Sequence, residues 1–433
     1  MSPVIIGLIA LIILFVLLAL GMSVGAGMAL LGFIGFWYVV SGSAAGAQIA
    51  LVPFGTISSY DLIVLPLFMF MAQIIFISGL GKDLYNLAAK WLGNFRGGLA
   101  MATVGACAGF AAISASSLAT AATMGLIAIP EMKKYKYDPA LCTGCVAAGG
   151  TMGVLIPPAM GLILYGIITE ESIGRLFVAG IIPGILEAIF YMVTIYLLCL
   201  WKPHYGPPGP RYTLKEKILA FSSCAEVIAL VILVLGGLII GWFTPTEAGA
   251  VGACGSVLFS LVRKRLSWSK FWEASLATMK TSGMIFFVLI GAMIFKPFMA
   301  VTTIPFWLAD FVSGLPLPPL LIVAAMMFVY LMLGCFIDMA AMVLLTVPIF
   351  HPLVIAMGFD AVWFGILVVR LSEMALITPP IGMNVYILSG VVPDIPMETI
   401  FKGIVPFLIA DIFHVALLLY IPAITLFLPD LIM

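Results

Sequence analysis

GGTMGVLIPPAMG, Gly149 to Gly161, lies inside an otherwise apolar stretch. Proline removes a backbone donor and clashes with the preceding turn, and glycine adds backbone entropy. Inside a bilayer no water repairs the hydrogen bonds left open. LITPPIGMN, Leu376 to Asn384, repeats the proline pair in similar surroundings. One such pair reads as a packing kink; two at equivalent positions read as helices broken to make a site.

The surrounding chain is membrane material. Of 433 residues 64% are hydrophobic and 9% charged, where soluble domains carry about 25% charged residues. The run Pro3 to Leu20 has no basic region before it and no small-residue cleavage site, so it reads as a retained span. Formal net charge is zero, which gives no basic surface for nucleic acid. No G-x-x-x-x-G-K-[ST] is present, so the chain is not an ATPase of that kind. The three histidines are scattered, with no H-x-x-x-H, and Cys142 and Cys145 have no second pair, so they read as helix-packing cysteines. Neither an enzyme site nor a cofactor is expected.

Apolar runs long enough to cross a bilayer lie near 3–22, 24–42, 62–80, 140–168, 173–200, 218–243, 246–262, 283–300, 359–390 and 402–428. Two further stretches, 98–132 and 319–350, are too long for one span. Both are interrupted, by AISASSLAT (112–120) and LGCFIDMAA (333–341), as re-entrant helical hairpins would be. With both treated as re-entrant, every Lys and Arg except Arg175, Lys296 and Arg370 falls on one face, the cytoplasmic one by the positive-inside rule. Both termini then lie outside. Trp268, Phe271, Trp272, Leu276 and Met279 recur at helical spacing and suggest a cytoplasmic helix lying in the interface.

Two hairpins that enter from opposite sides imply two halves of opposite topology. KWLGNF (90–95) parallels FWLADF (306–311), YDPALCTG (137–144) resembles FDAVWFGI (359–366), and VLIPPAMGLILYG (154–166) answers ALITPPIGMNVYIL (375–388). RLFVAGIIPG (175–184) answers TIFKGIVPFL (399–408). The fold class is therefore an all-α polytopic membrane protein, an inverted-topology repeat with two re-entrant hairpins and two discontinuous helices. Residues 1–61 form N-terminal scaffold spans. Residues 62–200 form the first repeat, with its hairpin near 98–132 and broken helix near 140–168. Residues 201–282 hold a cytoplasmic loop, two scaffold spans and the interfacial helix. Residues 283–433 form the second repeat, with its hairpin near 319–350 and broken helix near 359–390.

NFRGGLA, IPEMKKYKYDPA, GGTMGVLIPPAMGLILYG, ITEESIGRLFVAGIIPG, WFTPTEAGAVGA and LSEMALITPPIGMNVYILSG, in that order, together resemble the large membrane subunit of TRAP (tripartite ATP-independent periplasmic) transporters, over essentially the whole chain. The resemblance implies a Na⁺-coupled secondary importer of small organic acids (carboxylates) in the bacterial inner membrane, with an elevator-type mechanism. It implies two partners, a small four-helix membrane subunit and a periplasmic substrate-binding protein. The first hairpin tip departs from the family's S-G-S-x-x-A-D pattern. It reads Ser114-Ala-Ser116-Ser117-Leu-Ala-Thr120, without a carboxylate. The competing readings are a proton-coupled organic-anion transporter working without a binding protein, a channel, and a non-transport subunit of an ion-pumping complex.

Na⁺ takes several oxygen ligands, and backbone carbonyls are free in a membrane only where a helix unwinds. One candidate cluster joins Ser114, Ser116 and Ser117 to Gly150 and Thr151, with Gly149 to Thr151 as the unwound segment leading to Pro157 and Pro158. The other joins Gly334 and Asp338 to Thr378 and Asn384, next to Pro379 and Pro380. The serines could instead be packing residues. Asp338 is the strongest single candidate, because an intramembrane carboxylate is costly; it could ligate Na⁺, carry a proton or cap a half-helix. Ser116, Thr151, Thr378 and Arg370 are candidates for substrate. Arg370 suits a carboxylate, although Glu373 lies one turn away and an internal i,i+3 pair is the simpler reading. Glu247 reads as a helix N-terminal residue. Glu187, Glu226, Asp411 and Lys296 lie in apolar spans without identifiable partners.

Overall fold

The computed structural model describes residues 2–114, 116–314 and 316–432, and among them there is no strand. The helices are α1 (Pro3–Ala19), α2 (Val24–Val39), α3 (Gly42–Ile57), α4 (Val64–Ile77), α5 (Leu80–Leu92), α6 (Gly98–Ser114) and α7 (Ser117–Lys134). Next come α8 (Pro139–Thr151), α9 (Met160–Thr169), α10 (Ile173–Trp201), α11 (Leu214–Ser223), α12 (Ala225–Ile239), α13 (Pro245–Val262) and α14 (Trp268–Val301). The chain ends with α15 (Ile304–Ser313), α16 (Pro319–Leu333), α17 (Met339–Ala356), α18 (Ala361–Ala375), α19 (Met383–Val391), α20 (Met397–Tyr420) and α21 (Ala423–Ile432).

Among the described residues, six segments are long and apolar enough to cross a membrane by themselves: Tyr60–Ile77, Ile173–Trp201, Pro245–Val262, Trp268–Val301, Met339–Ala356 and Met397–Tyr420. Their starts carry local signals. Thr244 and Glu247 form a capping box at the head of α13, the N-terminal role expected for Glu247. Asp138 and Asp360 cap α8 and α18, each accepting a backbone N–H two residues on, at 2.8 and 2.7 Å.

Both interrupted stretches are helical hairpins, α6/α7 and α16/α17, and both Pro-Pro segments separate paired short helices, α8/α9 and α18/α19. Four expectations change. Gly42–Ile57 forms a helix that the span assignment did not contain. The predicted interfacial helix and the span from 283 are one continuous helix of 34 residues, so the boundary at 282/283 falls inside α14. Thr278 and Thr281 donate to the carbonyls of Ala274 and Ala277, so these polar residues satisfy themselves along the helix and do not interrupt it. The span 218–243 is α11 and α12, bent by 58°. The span 402–428 is divided at Ile421 and Pro422 between α20 and α21.

The order of elements from α4 to α10 recurs from α14 to α20, and so do the contacts. Helix α7 packs on α8 and α19, and α17 packs on α18 and α9. Helix α10 packs on α18, and α20 on α8. Polar contacts then fix the two ends. Gly97 and Asp138 bond to the 202–206 loop through Gly206 and Tyr205, Arg265 meets Asp83, and Lys133 meets Asp394. At the other end Arg175 reaches Asp430 at 2.9 Å and Asp360 at 3.9 Å. So α8/α9 starts at the basic end and finishes near Arg175, whereas α18/α19 starts beside Arg175 and finishes at the basic end. The two broken helices run in opposite directions.

Close helix approach rests on glycine. A Cβ on Gly403 of α20 would lie 1.9 Å from the Ala140 carbonyl oxygen of α8, and one on Gly144 of α8 would lie 2.2 Å from the Gly403 oxygen. Helices α2 and α14 meet in the same way, with a Cβ on Gly291 falling 2.2 Å from the Gly25 oxygen. With little hydrophobic drive between helices in lipid, such contacts supply dispersion that larger residues would block.

Candidate functional site

Each hairpin tip sits against one helix break. At the first, an added Cβ on Gly150 would meet the Ser117 carbonyl oxygen at 3.1 Å, and one on Gly153 would meet the Ser116 backbone at 3.4 Å. At the second, Gly334 faces Ala375 at 2.4 Å by the same measure, and the Cys335 thiol lies 3.8 Å from the Pro379 oxygen. Glycine is what lets tip and break approach. The Pro157-Pro158 and Pro379-Pro380 peptide bonds are both cis.

The first break lies later than expected. Helix α8 continues through Thr151, and a 3-10 turn, Met152–Val154, follows before the chain opens from Leu155 to Ala159. Gly149 and Gly150 therefore keep their carbonyls engaged, both accepting the Met152 N–H. Glycine here serves close packing, and the prolines do the unwinding.

Asn384 also belongs elsewhere. The sequence groups it with Gly334, Asp338 and Thr378, but its amide donates to the Ala147 oxygen at 3.2 Å and lies 3.3 Å from the Cβ position of Gly150. It joins the first cluster because α19 packs on α7 and α8. Thr378 bonds its own helix at the Met374 oxygen, 2.7 Å. Ser114 and Thr120 share a hydroxyl contact of 2.7 Å, and Ser116 caps α7.

Asp338 is exposed and caps α17, accepting the Ala341 N–H at 3.1 Å, the counterpart of Ser116 in the first hairpin. Capping is its structural role. Asp338→Ala should lower stability by about 1 kcal/mol. Asp338→Asn, an equally good cap, should leave the melting temperature unchanged. Thermal unfolding in detergent checks both expectations.

The interior charge lies elsewhere, and Arg370 is its centre. Arg370 is fully buried, and its partner is not Glu373. Its Nη2 donates to Asp411 of α20 and to the Tyr191 hydroxyl at 3.3 Å, and lies 3.3 Å from the Glu187 carboxylate of α10. Its Nε donates to His414 Nδ1 at 3.3 Å, which leaves that imidazole an uncharged acceptor. Thr151 extends the network, donating to the Ala148 oxygen at 2.7 Å and reaching Glu187 at 3.2 Å and Tyr191 at 3.3 Å. The expected i,i+3 pair is thus displaced by two carboxylates from neighbouring helices. The substrate-facing position expected for Arg370 is likewise replaced by a structural one: its charge is engaged and its side chain is fully buried. Glu187 and Asp411 could have been found from the repeat, because each follows a matched proline, Pro183 or Pro406, by about one helical turn.

Two cavities open between the helices. One of about 300 Å³ lies between the first hairpin tip and helices α4 and α14, lined by Gln73, Phe76, Ser114, Ser116 and Thr281 among others. A larger one, about 730 Å³, lies at the Arg175 end between α3, α14 and the turn after α9, with Asp61, Glu170, Glu171 and Lys296 in its wall. Lys296 donates there to the Ile168 oxygen at 3.2 Å and faces Glu170 at 3.8 Å. Glu226, the remaining unpaired acid of the sequence, meets Arg263 near the basic end at 2.5 Å. The cysteines are free, and all are buried except Cys254. Among the described residues no group of three or more His, Cys, Asp or Glu is arranged to hold a metal ion.

Hairpin tips facing broken helices, with no nucleotide motif, describe a transporter. A family profile described as "Tripartite ATP-independent periplasmic transporter, DctM component" matches residues 11–424. The chain belongs to this family. A C4-dicarboxylate TRAP transporter large permease protein from Pseudomonas aeruginosa is 35% identical, covering 88% of this chain and 89% of the relative. A sialic acid TRAP transporter large permease protein from Vibrio cholerae is 31% identical, covering 96% of each. Among solved structures, the Alcanivorax borkumensis YdaH transporter superposes with a TM-score of 0.66 at 13% identity, covering 88% of this chain and 89% of the other, a likeness of fold alone. The protein is a transporter subunit and not an enzyme. It is a multi-pass protein of the bacterial inner membrane.

Proposed function

We propose that this TRAP large permease is a Na⁺-coupled importer of small organic acids working by elevator-type alternating access. The observation that carries this reading is the seating of each hairpin tip against one of two broken helices that run in opposite directions. In an inverted repeat of this kind the site lies at the midplane, between the half-helices. The mobile unit comprises the two hairpins and the two broken helices, and α1–α4 with α11–α14 form the scaffold. Sodium is held by Ser114, Ser116, Ser117, Thr151 and Asn384 at the first junction, where Gly150 lets the tip approach, and by Gly334 and Thr378 at the second. Substrate occupies the cavity between the first tip and the scaffold, where Ser116 presents a hydroxyl. Both termini are periplasmic. A small four-helix membrane subunit braces the scaffold, and a periplasmic binding protein delivers the substrate. The relatives named for C4-dicarboxylate and sialic acid transport, both carboxylates, favour this substrate class.

The test is uptake by the permease reconstituted with its membrane subunit and binding protein, using labelled C4-dicarboxylates under imposed Na⁺ or H⁺ gradients. Uptake that follows the Na⁺ gradient and requires the binding protein is the expected result. Uptake that follows only the H⁺ gradient, or proceeds without the binding protein, overturns the coupling or the delivery. Absence of counterflow would indicate a channel.

A further inference from the structure

The interior of this protein holds more acidic side chains than cations to pair with them among the described residues. Glu187, Glu373 and Asp411 are each at most 1% exposed, and the only buried cation beside them among the described residues is Arg370. Arg370 is committed to Glu187 and Asp411. Glu373 is left over. Both of its carboxylate oxygens are inaccessible and without a hydrogen-bond partner. An isolated carboxylate in such surroundings is costly unless a cation or a proton joins it.

The groups around it are oxygen donors. Glu373 faces the Ser117 side chain at the head of α7, with Arg370 and Glu187 as the nearest charged groups. The Ser117 carbonyl borders Gly150, and the Asn384 amide borders Gly150 from the other side. Asn384 is fully buried and its Oδ1 has no hydrogen-bond partner. Two buried side chains with unpartnered oxygens, a carboxyl and an amide, therefore border the junction of the first hairpin tip with α8 and α19, Glu373 beside Ser117 and Asn384 beside Gly150. The spare oxygens match what a small monovalent cation takes up.

We infer that Glu373 supplies the charged ligand of a sodium site at this junction, completed by Ser117 and the Asn384 side-chain oxygen. The inference rests on the Na⁺-coupled reading and deepens it. The first hairpin tip has no carboxylate of its own, and Glu373, from the opposite repeat, takes that place. The site then spans both halves of the chain, with α7 from the first and α18 and α19 from the second, so ion occupancy ties the two halves together.

The experiment uses the purified full-length permease with its membrane subunit and measures ²²Na⁺ binding without substrate. Wild type should bind ²²Na⁺ saturably. Glu373→Gln should weaken binding by at least about tenfold, because a buried cation loses its counter-charge, and Asn384→Ala should weaken it less. Glu273→Gln, an exposed acid near the start of α14, should bind as wild type. Glu373→Asp keeps the charge and guards against a folding defect: it should bind ²²Na⁺ with an altered Na⁺-to-Li⁺ preference. If wild type binds ²²Na⁺ and a folded Glu373→Gln binds it equally well, the Glu373 assignment is overturned while sodium coupling survives. An unchanged ion preference in Glu373→Asp also counts against it. If wild type itself binds no ²²Na⁺, the sodium reading fails first.

Discussion

Arg370→Ala should be among the most damaging single substitutions in this protein, lowering stability by about 3–5 kcal/mol. The reason is the charge it leaves behind. Glu187 and Asp411 come from α10 and α20, one in each half of the chain, and both lie at 0% exposure against the guanidinium. Removing Arg370 abandons two carboxylates in a medium that solvates neither. Arg370→Lys should rescue little, since one ammonium on a flexible stem cannot reproduce the fork that meets Asp411, Tyr191 and His414 together. The decisive comparison is with Arg370→Leu combined with Glu187→Gln and Asp411→Asn. If charge is the cause, the triple variant melts above Arg370→Leu alone, because a neutral buried cluster is cheaper than a broken ion pair. Equal melting temperatures would mean that lost volume carried the cost. Thermal unfolding of the purified protein in detergent reads the difference.

The parts of this architecture that were legible in the sequence are those stated by the backbone. Pro157-Pro158 and Pro379-Pro380 forbid a continuous helix whatever surrounds them, and both hairpins follow from stretches too long to cross once. The sidedness of the loops was legible because Lys and Arg mark it; Gly97, Asp138, Asp83 and Lys133 do gather at one end, and Arg175 meets Asp360 and Asp430 at the other. The partners of side chains were not legible. Glu373 looked like the mate of Arg370 because i,i+3 neighbours share a helix face, yet spacing along one helix says nothing of what the next helix brings. Asn384 looked like part of the second cluster because it follows the second proline pair, and only the packing of α19 on α7 and α8 carries it to the first. Asp338 attracted attention as an acid in an apolar run. The turn at the hairpin tip brings it to the surface, where its oxygen serves the backbone.

Gly403 is the position where the smallest change should disturb the most. Any residue with a Cβ there places carbon 1.9 Å from the Ala140 oxygen, which is backbone and cannot rotate away. Helices α20 and α8 must then separate. Gly403→Ala should cost about 1–3 kcal/mol, and Gly403→Leu should prevent accumulation of folded protein. Gly283→Ala is the control. Gly283 lies within α14 with nothing near its Cβ position, so alanine there should be neutral or stabilising by up to about 1 kcal/mol. The stability loss at Gly403 comes with a functional one. Helix α8 carries Thr151 and Gly150, and α20 carries Asp411 and His414, so parting them pulls Thr151 away from the Arg370 network and Gly150 away from Asn384. Gly403→Ala should therefore lose substrate uptake by more than its folded amount explains, measured as initial rate per folded transporter in proteoliposomes. A rate per folded molecule equal to wild type would mean that the α8–α20 contact holds the protein together without setting the geometry of the first tip-and-break junction.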